Sequence, residues 1–361
     1  ATAMNAYFST ENVRSANDVL VHKTSQLPVA NILRANDELL TSSDGQKYIV
    51  IGESLNANFS FKYGGRDQVV SAYTFIDSRN LFFYSTVISG GEYEAHYMLD
   101  GVLYNQVVKS TMHTTDTHGY SEAVSGIAHL LKVSFAPRIR DFQSKYLYSF
   151  KPRHKYKKLG YPVLPAKAID KKLIENNYED FLRLVVSIKL GETTASRVFR
   201  RMNSKSKHNP LYDAVKEFGR IPKTLHLLRY MDDEEYRSAI QRQLNKGESG
   251  NKLDRALAVG SPFYDQIEKE DQELVDSCKR LLKNVIVCWN NMHLSKRLKE
   301  AKGSKKKQLI IDKILETSTV TYKHFQFQGE YPFSPNRLVD SMNFNFSDFL
   351  NPNIVVVKKD E

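Results

Sequence analysis

Two runs of β-branched and aromatic residues, VVSAYTFID (69–77) and NLFFYSTVI (80–88), are separated by a short polar link. Such residues suit a pleated, half-buried surface, and the pair reads as a β-hairpin. ELLTSSD (38–44) precedes it as a short strand ending at Asp44-Gly45, a turn signal. After the hairpin the period changes. Ala95, Met98, Leu99, Val102 and Leu103 follow the spacing of an amphipathic helix. STMHTTD (110–116) is strand-like again, YSEAVSGIAHLLK (120–132) helical, and VSFAPR (133–138) a last short strand stopped by Pro137. Three strands, helix, strand, helix, strand make an α/β domain with a mixed sheet, because a hairpin opens it and crossovers follow.

The rest of the chain divides around this unit. Residues 1–36 read as a lead-in segment with basic positions Arg14, Lys23 and Arg34, and 37–144 hold the sheet. Residues 145–225 read as a basic helical insertion, with KPRHKYKKLGYP (151–162), helices near 178–190 and 211–218, and RVFRRMNSKSKHNP (197–210) between them. Residues 226–301 carry a long helix from about 234 and another over 271–300. Residues 302–361 open with a Lys-rich hinge, KGSKKK (302–307), and end in an Asn/Phe-rich tail that reads as loosely packed. The chain opens ATAMNAYF, without an initiator Met, which is the expectation for a fragment of something longer.

Composition narrows the class. Hydrophobic residues make up 41%, enough for a buried core. No apolar run approaches the roughly 18 residues a membrane span needs. With 52 Lys+Arg against 41 Asp+Glu, the net charge of +11 favours a polyanionic partner, of which nucleic acid is the commonest. The two cysteines, Cys278 and Cys288, fall on an expected apolar stripe with Leu274, Leu281, Val285 and Met292. They read as buried thiols, suited to a reducing cytoplasm, with no disulfide framework.

Three carboxylates stand out by context. Asp44 and Asp116 end strands, where ligands collect in α/β sheets, although Asp-Gly also suits a plain turn and Asp116 a helix cap. Glu248 follows Tyr236, Ile240 and Leu244 at four-residue steps on one helix. A carboxylate in line with a core stripe needs a compensating charge if buried; alternatively the helix frays at Gly247 and the glutamate is exposed. Together the three form an oxygen-rich set suited to Mg²⁺ or Mn²⁺, and two such ions can drive phosphodiester chemistry. A zinc site at His113, Asp116 and His118 fails, because positions 113 and 118 have opposite strand parity and no further His or Cys lies nearby. No Gly-x-Ser-x-Gly elbow or Walker loop occurs.

The segments SSDGQ (42–46), LDGVLY (99–104), TDTHGYSE (115–122), FAPRIRD (135–141), LNKGESGNKLDRA (244–256) and HFQFQGEY (324–331) occur in one order. In this the chain resembles the C-terminal catalytic region of the Tn-three family of replicative, cointegrate-forming bacterial transposases, from about Asp37 to Tyr331. The resemblance implies a ribonuclease-H-like fold whose helical insertion separates the second Asp from the Glu, followed by C-terminal helices. It implies a D-D-E triad of Asp44, Asp116 and Glu248 holding two Mg²⁺ (or Mn²⁺) ions. It implies 3′-end cleavage at transposon ends and strand transfer into target DNA.

Under that reading Arg138, Arg140 and Lys246 are DNA-backbone candidates, and Arg200, Arg201, Lys205 and Lys207 a DNA-tracking cluster. His118 is a candidate DNA or substrate contact. The implied partners are inverted-repeat transposon ends and target DNA, with a homodimer by analogy and no membrane. The implied location is the bacterial cytoplasm at the nucleoid. Two other functions stay open from the residues: a ribonuclease-H-like nuclease without joining activity, and a catalytically silent DNA-binding module.

Overall fold

The hairpin forms, as strands β2 (Gln68–Asp77) and β3 (Phe82–Ser89). Its turn is organised by Asp77, whose carboxylate accepts from the backbone N–H groups of Arg79 and Leu81 and pairs with the Arg79 guanidinium. Asn80 takes the left-handed conformation there, φ 68°, which asparagine tolerates. We describe a computed structural model covering residues 8–34, 39–204, 209–258, 263–265, 267–327 and 346–350.

Strand β1 (Leu40–Val50) lies antiparallel to β2, from Thr41 opposite Asp77 to Ile49 opposite Val69. Its other edge runs parallel to β4 (Met112–Thr114), with Leu40 opposite Met112 and Ser42 opposite Thr114. The main order is therefore β3-β2-β1-β4. Residues 133–138, expected as a strand, pair with β4 through one bridge, His113 to Phe135, and through backbone bonds on to Arg138 and Thr115. Pro137 has no N–H to extend the ladder.

Helices cover both faces. On one, α3 (Ala95–Tyr104) and α4 (Glu122–Leu130) bury Met98, Leu99, Val124 and Ile127 with Phe75 and Phe83. Gly101 permits this contact, since a Cβ there would stand 2.2 Å from the Phe75 ring. The insertion supplies α5 (Lys171–Lys189), α6 (Ala195–Ser204) and α7 (Pro210–Asp232), and α7 runs unbroken through residue 225. It crosses α4 at Gly219 and Gly126, where the backbones meet directly. On the opposite face lies α8 (Glu234–Leu257), its Gly250 against the Phe82 ring.

The helix expected over 271–300 is present as α9 (Lys269–Glu300), but it buries a different face. Val285 is 47% exposed, whereas Asp276, Arg280, Lys283, Asn284 and Asn291 are buried. The cause is what the helix meets. Asn284 accepts from the Phe82 N–H and donates to the Phe82 carbonyl, at 3.0 and 2.9 Å, while Arg280 donates to the Phe83 carbonyl at 2.8 Å. These are outward backbone groups of β3, an edge strand, and a polar helix face satisfies them where an apolar one would leave them orphaned. Lys283 pairs with Asp254 of α8 at 3.0 Å in the same buried layer. Of the two cysteines, Cys288 is buried and Cys278 half-buried, and both are free thiols.

Near the N-terminus, α1 (Thr10–Ser25) and α2 (Pro28–Leu33) pack on α9. Asn17 of α1 donates to the Ser277 carbonyl and accepts from Asn284. The expected Lys-rich hinge is mostly helix: Ala301, Lys302 and Gly303 link α9 to α10 (Ser304–Glu316), and Lys305–Lys307 form its first turn. Most of the Asn/Phe-rich tail beyond 335 lies outside the described residues. No described helix is long and apolar enough to cross a membrane.

Candidate active site

Asp44 does not end its strand. It stands inside β1 opposite Thr74, and Gly45 continues the ladder opposite Tyr73, so the expected Asp-Gly turn is absent. The glycine serves a close approach instead: a Cβ at Gly45 would fall 2.2 Å from the Glu94 carboxylate. Glu94 in turn accepts from Ser71 and pairs with Lys47 at 2.7 Å.

The parallel register explains what Asp44 meets. Leu40 pairs with Met112 at an offset of 72 residues (112 − 40), and Asp116 follows Asp44 by the same 72 (116 − 44). Two residues past the last pair, Ser42 with Thr114, the ladder would set Asp116 beside Asp44 on the same face. There β4 has ended. The β1 edge is next paired at Ile49 and Val50, with Phe263 and Tyr264. Between these contacts a pocket of about 200 Å³ opens, lined by Asp44 and Asp116 together with Lys47, Tyr73, Glu92, Glu94 and His118.

The crowding has an electrostatic consequence. Burial, then the negative charges of Glu94 and Asp116, push the Asp44 carboxyl up from 3.8 to about 7. Two hydrogen bonds oppose the rise: the Gly45 N–H reaches Asp44 Oδ1 at 3.0 Å and Asn251 Nδ2 reaches Oδ2 at 2.8 Å. Asp116 caps a single 3₁₀ turn over Thr117–Gly119, accepting from the His118 N–H at 3.0 Å. The His118 ring is 81% exposed, with Nε2 3.9 Å from Asp116.

His113 has a different task. It is fully buried between the Thr41 and Ser43 hydroxyls, at 2.8 Å each, and burial pushes its pKa down to about 3. This neutral imidazole ties β4 to β1 and fixes the register on which the aspartate pair depends. Among the described residues no group of three or more His, Cys, Asp or Glu side chains could hold a metal ion.

Glu248 is exposed, which corrects the expectation that it continues a buried stripe. Tyr236, Ile240 and Leu244 are buried as expected. A four-residue row, however, drifts roughly 40° per step around an α-helix, so after three steps it has left the core. The side of α8 that meets β1 carries Gln243, Gly247 and Asn251. Gln243 donates to Ser42, and a Cβ at Gly247 would stand 3.8 Å from that of Asp44. Glu248 thus sits on the turn that contacts Asp44, with its side chain outside the pocket lining.

The basic candidates separate by environment. Arg140, Arg200 and Arg201 are exposed. Arg200 pairs with Glu92 and donates to the Tyr97 hydroxyl, which brings the insertion to the pocket rim. Arg138 is half-buried and donates to Gln241 at 3.2 Å. Lys246 donates to the Ser78 carbonyl, and burial lowers its pKa to about 8, so its ammonium is tied into the protein surface. Lys205 and Lys207 lie outside the described residues. Sequence reasoning missed Glu92 and Glu94, although the GGEYEAH run (90–96) that holds them joins the hairpin to the next helix, where pocket loops gather. It also missed Asn251, one helical turn beyond Glu248.

A family model described as the Tn3 transposase DDE domain matches residues 1–331. The chain is 34% identical over 312 residues to the transposase for transposon Tn1546 of Enterococcus faecium, covering 84% of this chain and 30% of that protein. It is 33% identical over 340 residues to the transposase for transposon Tn2501 of Escherichia coli (91% and 33%). It is 29% identical over 358 residues to the transposase for transposon gamma-delta of Escherichia coli K12 (96% and 35%). The chain spans about a third of the length of these curated relatives. A match over 331 of 361 residues leaves no ambiguity of family: the chain belongs to the Tn3 transposase DDE domain family.

Proposed function

We propose that this chain is the catalytic domain of a DNA transposase that cleaves 3′ ends at transposon termini and joins them to target DNA in replicative transposition. The observation that carries the proposal is the shared register of Asp44 and Asp116 at a break in the sheet edge. The order β3-β2-β1-β4, with a hairpin followed by a parallel strand, supports a ribonuclease-H-like reading of the sheet.

Asp44 and Asp116 suit Mg²⁺ or Mn²⁺, because hard oxygen donors converge and the repulsion that lifts Asp44 is what a bound cation relieves. By resemblance Glu248 completes the set, projecting from the helix turn that touches Asp44. Two bound ions would supply charge neutralisation at the phosphate and at the attacking and leaving oxygens. Asn251 and the Gly45 N–H orient the Asp44 carboxylate, and the pair of ion bridges Lys47–Glu94 and Arg200–Glu92 holds the pocket wall. In the first step water displaces the 3′ oxygen at the transposon end, leaving a free 3′-OH and a 5′ phosphate on the flank. In the second, that hydroxyl attacks a target phosphodiester and releases the target's own 3′-OH. One bond forms for each broken, so catalysis rests on positioning and charge. Transposon-end inverted repeats and target DNA are the substrates, and a homodimer bridging two ends is the working assembly.

A transposase and a plain nuclease of the same fold differ in one assay. With a pre-cleaved transposon end and a target plasmid, Mg²⁺ should yield a covalent end–plasmid product. Hydrolysis without that product would identify the nuclease instead.

A further inference from the structure

A groove lies outside the aspartate pocket. Its volume is about 870 Å³, and it runs between α8, α9 and the segment 317–324. Its wall holds Trp289, the only tryptophan of the chain, 48% exposed with His293 tilted against it at a centroid distance of 4.5 Å. Lys252, Lys323 and His324 are exposed around it, and no described lining residue is acidic. The floor is a built one. Asn290 donates to the Thr319 and Thr321 carbonyls at 2.8 Å, and its Oδ1 accepts from His324 Nε2 at 2.9 Å, which fixes the segment against α9. A large aromatic face left half in water, flanked by Lys252 and Lys323 with no carboxylate in the described lining, is costly as packing and well suited to a base and its phosphates.

The groove also has a fixed relation to the candidate active site. Gly247 and Asn251 of α8 meet Asp44, while Ser249 and Lys252 of the same two turns line the groove. At roughly 100° per residue, Glu248 projects between these two sides of the helix. A strand lying in the groove is separated from Asp44 by about one helix diameter, roughly 10 Å, which is one or two nucleotides.

We propose that this groove binds a short unpaired DNA segment next to the bond that reacts, with a base stacked on the Trp289 indole and flanking phosphates on Lys252 and Lys323. The proposal rests on the transposase reading for its ligand, and it adds a second contact that holds the substrate end open. Charge disfavours a basic peptide, and the exposed Trp289 face favours a stacked base over an acidic or aliphatic peptide: the groove presents lysines and a π-face, the two features that bind single strands without reading sequence.

The single tryptophan makes the test direct. Titrating the 361-residue chain with oligo-dT should quench and saturate the Trp289 emission, with an affinity that falls as salt rises. Trp289→Ala should weaken oligo-dT binding by roughly 5- to 100-fold, Trp289→Phe by much less, and Lys323→Ala should flatten the salt dependence. Thermal melts of the variants matching the wild type would show that the fold is intact, as expected for a half-exposed side chain. Unquenched emission, or Trp289→Ala binding oligo-dT as tightly as the wild type, would overturn the groove proposal. A wild-type protein that stacks oligo-dT yet never joins a pre-cleaved end would keep the groove and remove the transposase reading.

Discussion

Asp44→Asn is expected to lose cleavage and joining by roughly 10²–10³-fold or more, while making the folded chain more stable at neutral pH. The two effects have one origin. Asp44 is held where burial and the charges of Glu94 and Asp116 raise its pKa from 3.8 to about 7. For a carboxyl whose folded pKa is raised, the protonated form favours folding. Its contribution is fully present below pH 3.8, is lost as pH climbs through about 7, and is gone above that. Asparagine does not titrate and keeps a group for Asn251 and the Gly45 N–H to face. The stability advantage of the variant should therefore grow between pH 4 and 7 and then level off, at most on the order of 4 kcal/mol. Mg²⁺ or Mn²⁺ should raise the melting temperature of the wild type above pH 7 and leave the variant unmoved. Parallel pH–stability curves for the two proteins would contradict this picture of the site.

Gly219→Ala should produce the largest loss of stability among Gly→Ala changes at the described glycines, since its Cβ would make the tightest approach to backbone. Helices α4 and α7 cross backbone to backbone at Gly126 and Gly219, and a Cβ at Gly219 would stand 1.7 Å from the Glu122 carbonyl oxygen. Backbone cannot rotate away as a side chain can, so the helices must separate. Separation also strains the Lys223–Glu122 pair beside the crossing, 2.6 Å in the native fold. A cost of about 2–4 kcal/mol follows, read as a lower urea midpoint with an unchanged slope. Gly126→Ala, whose Cβ would meet the Val215 carbonyl at 2.9 Å, should cost less. An unchanged midpoint for Gly219→Ala would mean the crossing is looser than described.

The fold was legible where period and composition speak locally. The hairpin, α3, α4 and α8 follow from spacing, because each buries its face against a neighbour close in sequence or along a continuous stripe, and α9 follows as a helix though not in the face it buries. What escaped depended on distant partners. Asp44-Gly45 has the composition of a turn, yet the strand continues, since the glycine makes room for Glu94 from another element. The buried face of α9 is polar because it meets the open edge of β3, and nothing in its own sequence announces that edge. The stripe that pointed to Glu248 wound off the core through ordinary helical drift, so its buried-charge argument fell even though the motif LNKGESGNKL kept the residue as a candidate.

For the site itself, context and the ordered motifs singled out the two aspartates, and the meaning of their spacing came only with the fold. Neither Asp44 nor Asp116 is distinctive alone, but their separation equals the β1–β4 register, and the structure brings them into one pocket. The two glutamates that crowd them, Glu92 and Glu94, came from a loop whose only local signal was a pair of glycines. Electrostatics there became visible only once the chain was folded.

The most direct test of the account is strand transfer of a pre-cleaved transposon end into plasmid DNA with Mg²⁺, comparing wild type with Asp116→Asn. Asp116 is partly exposed and caps only a short turn, so the variant should fold and still bind DNA. The account predicts joined product for the wild type and none above background for Asp116→Asn, at equal DNA occupancy. Joining by Asp116→Asn at the wild-type rate would contradict it.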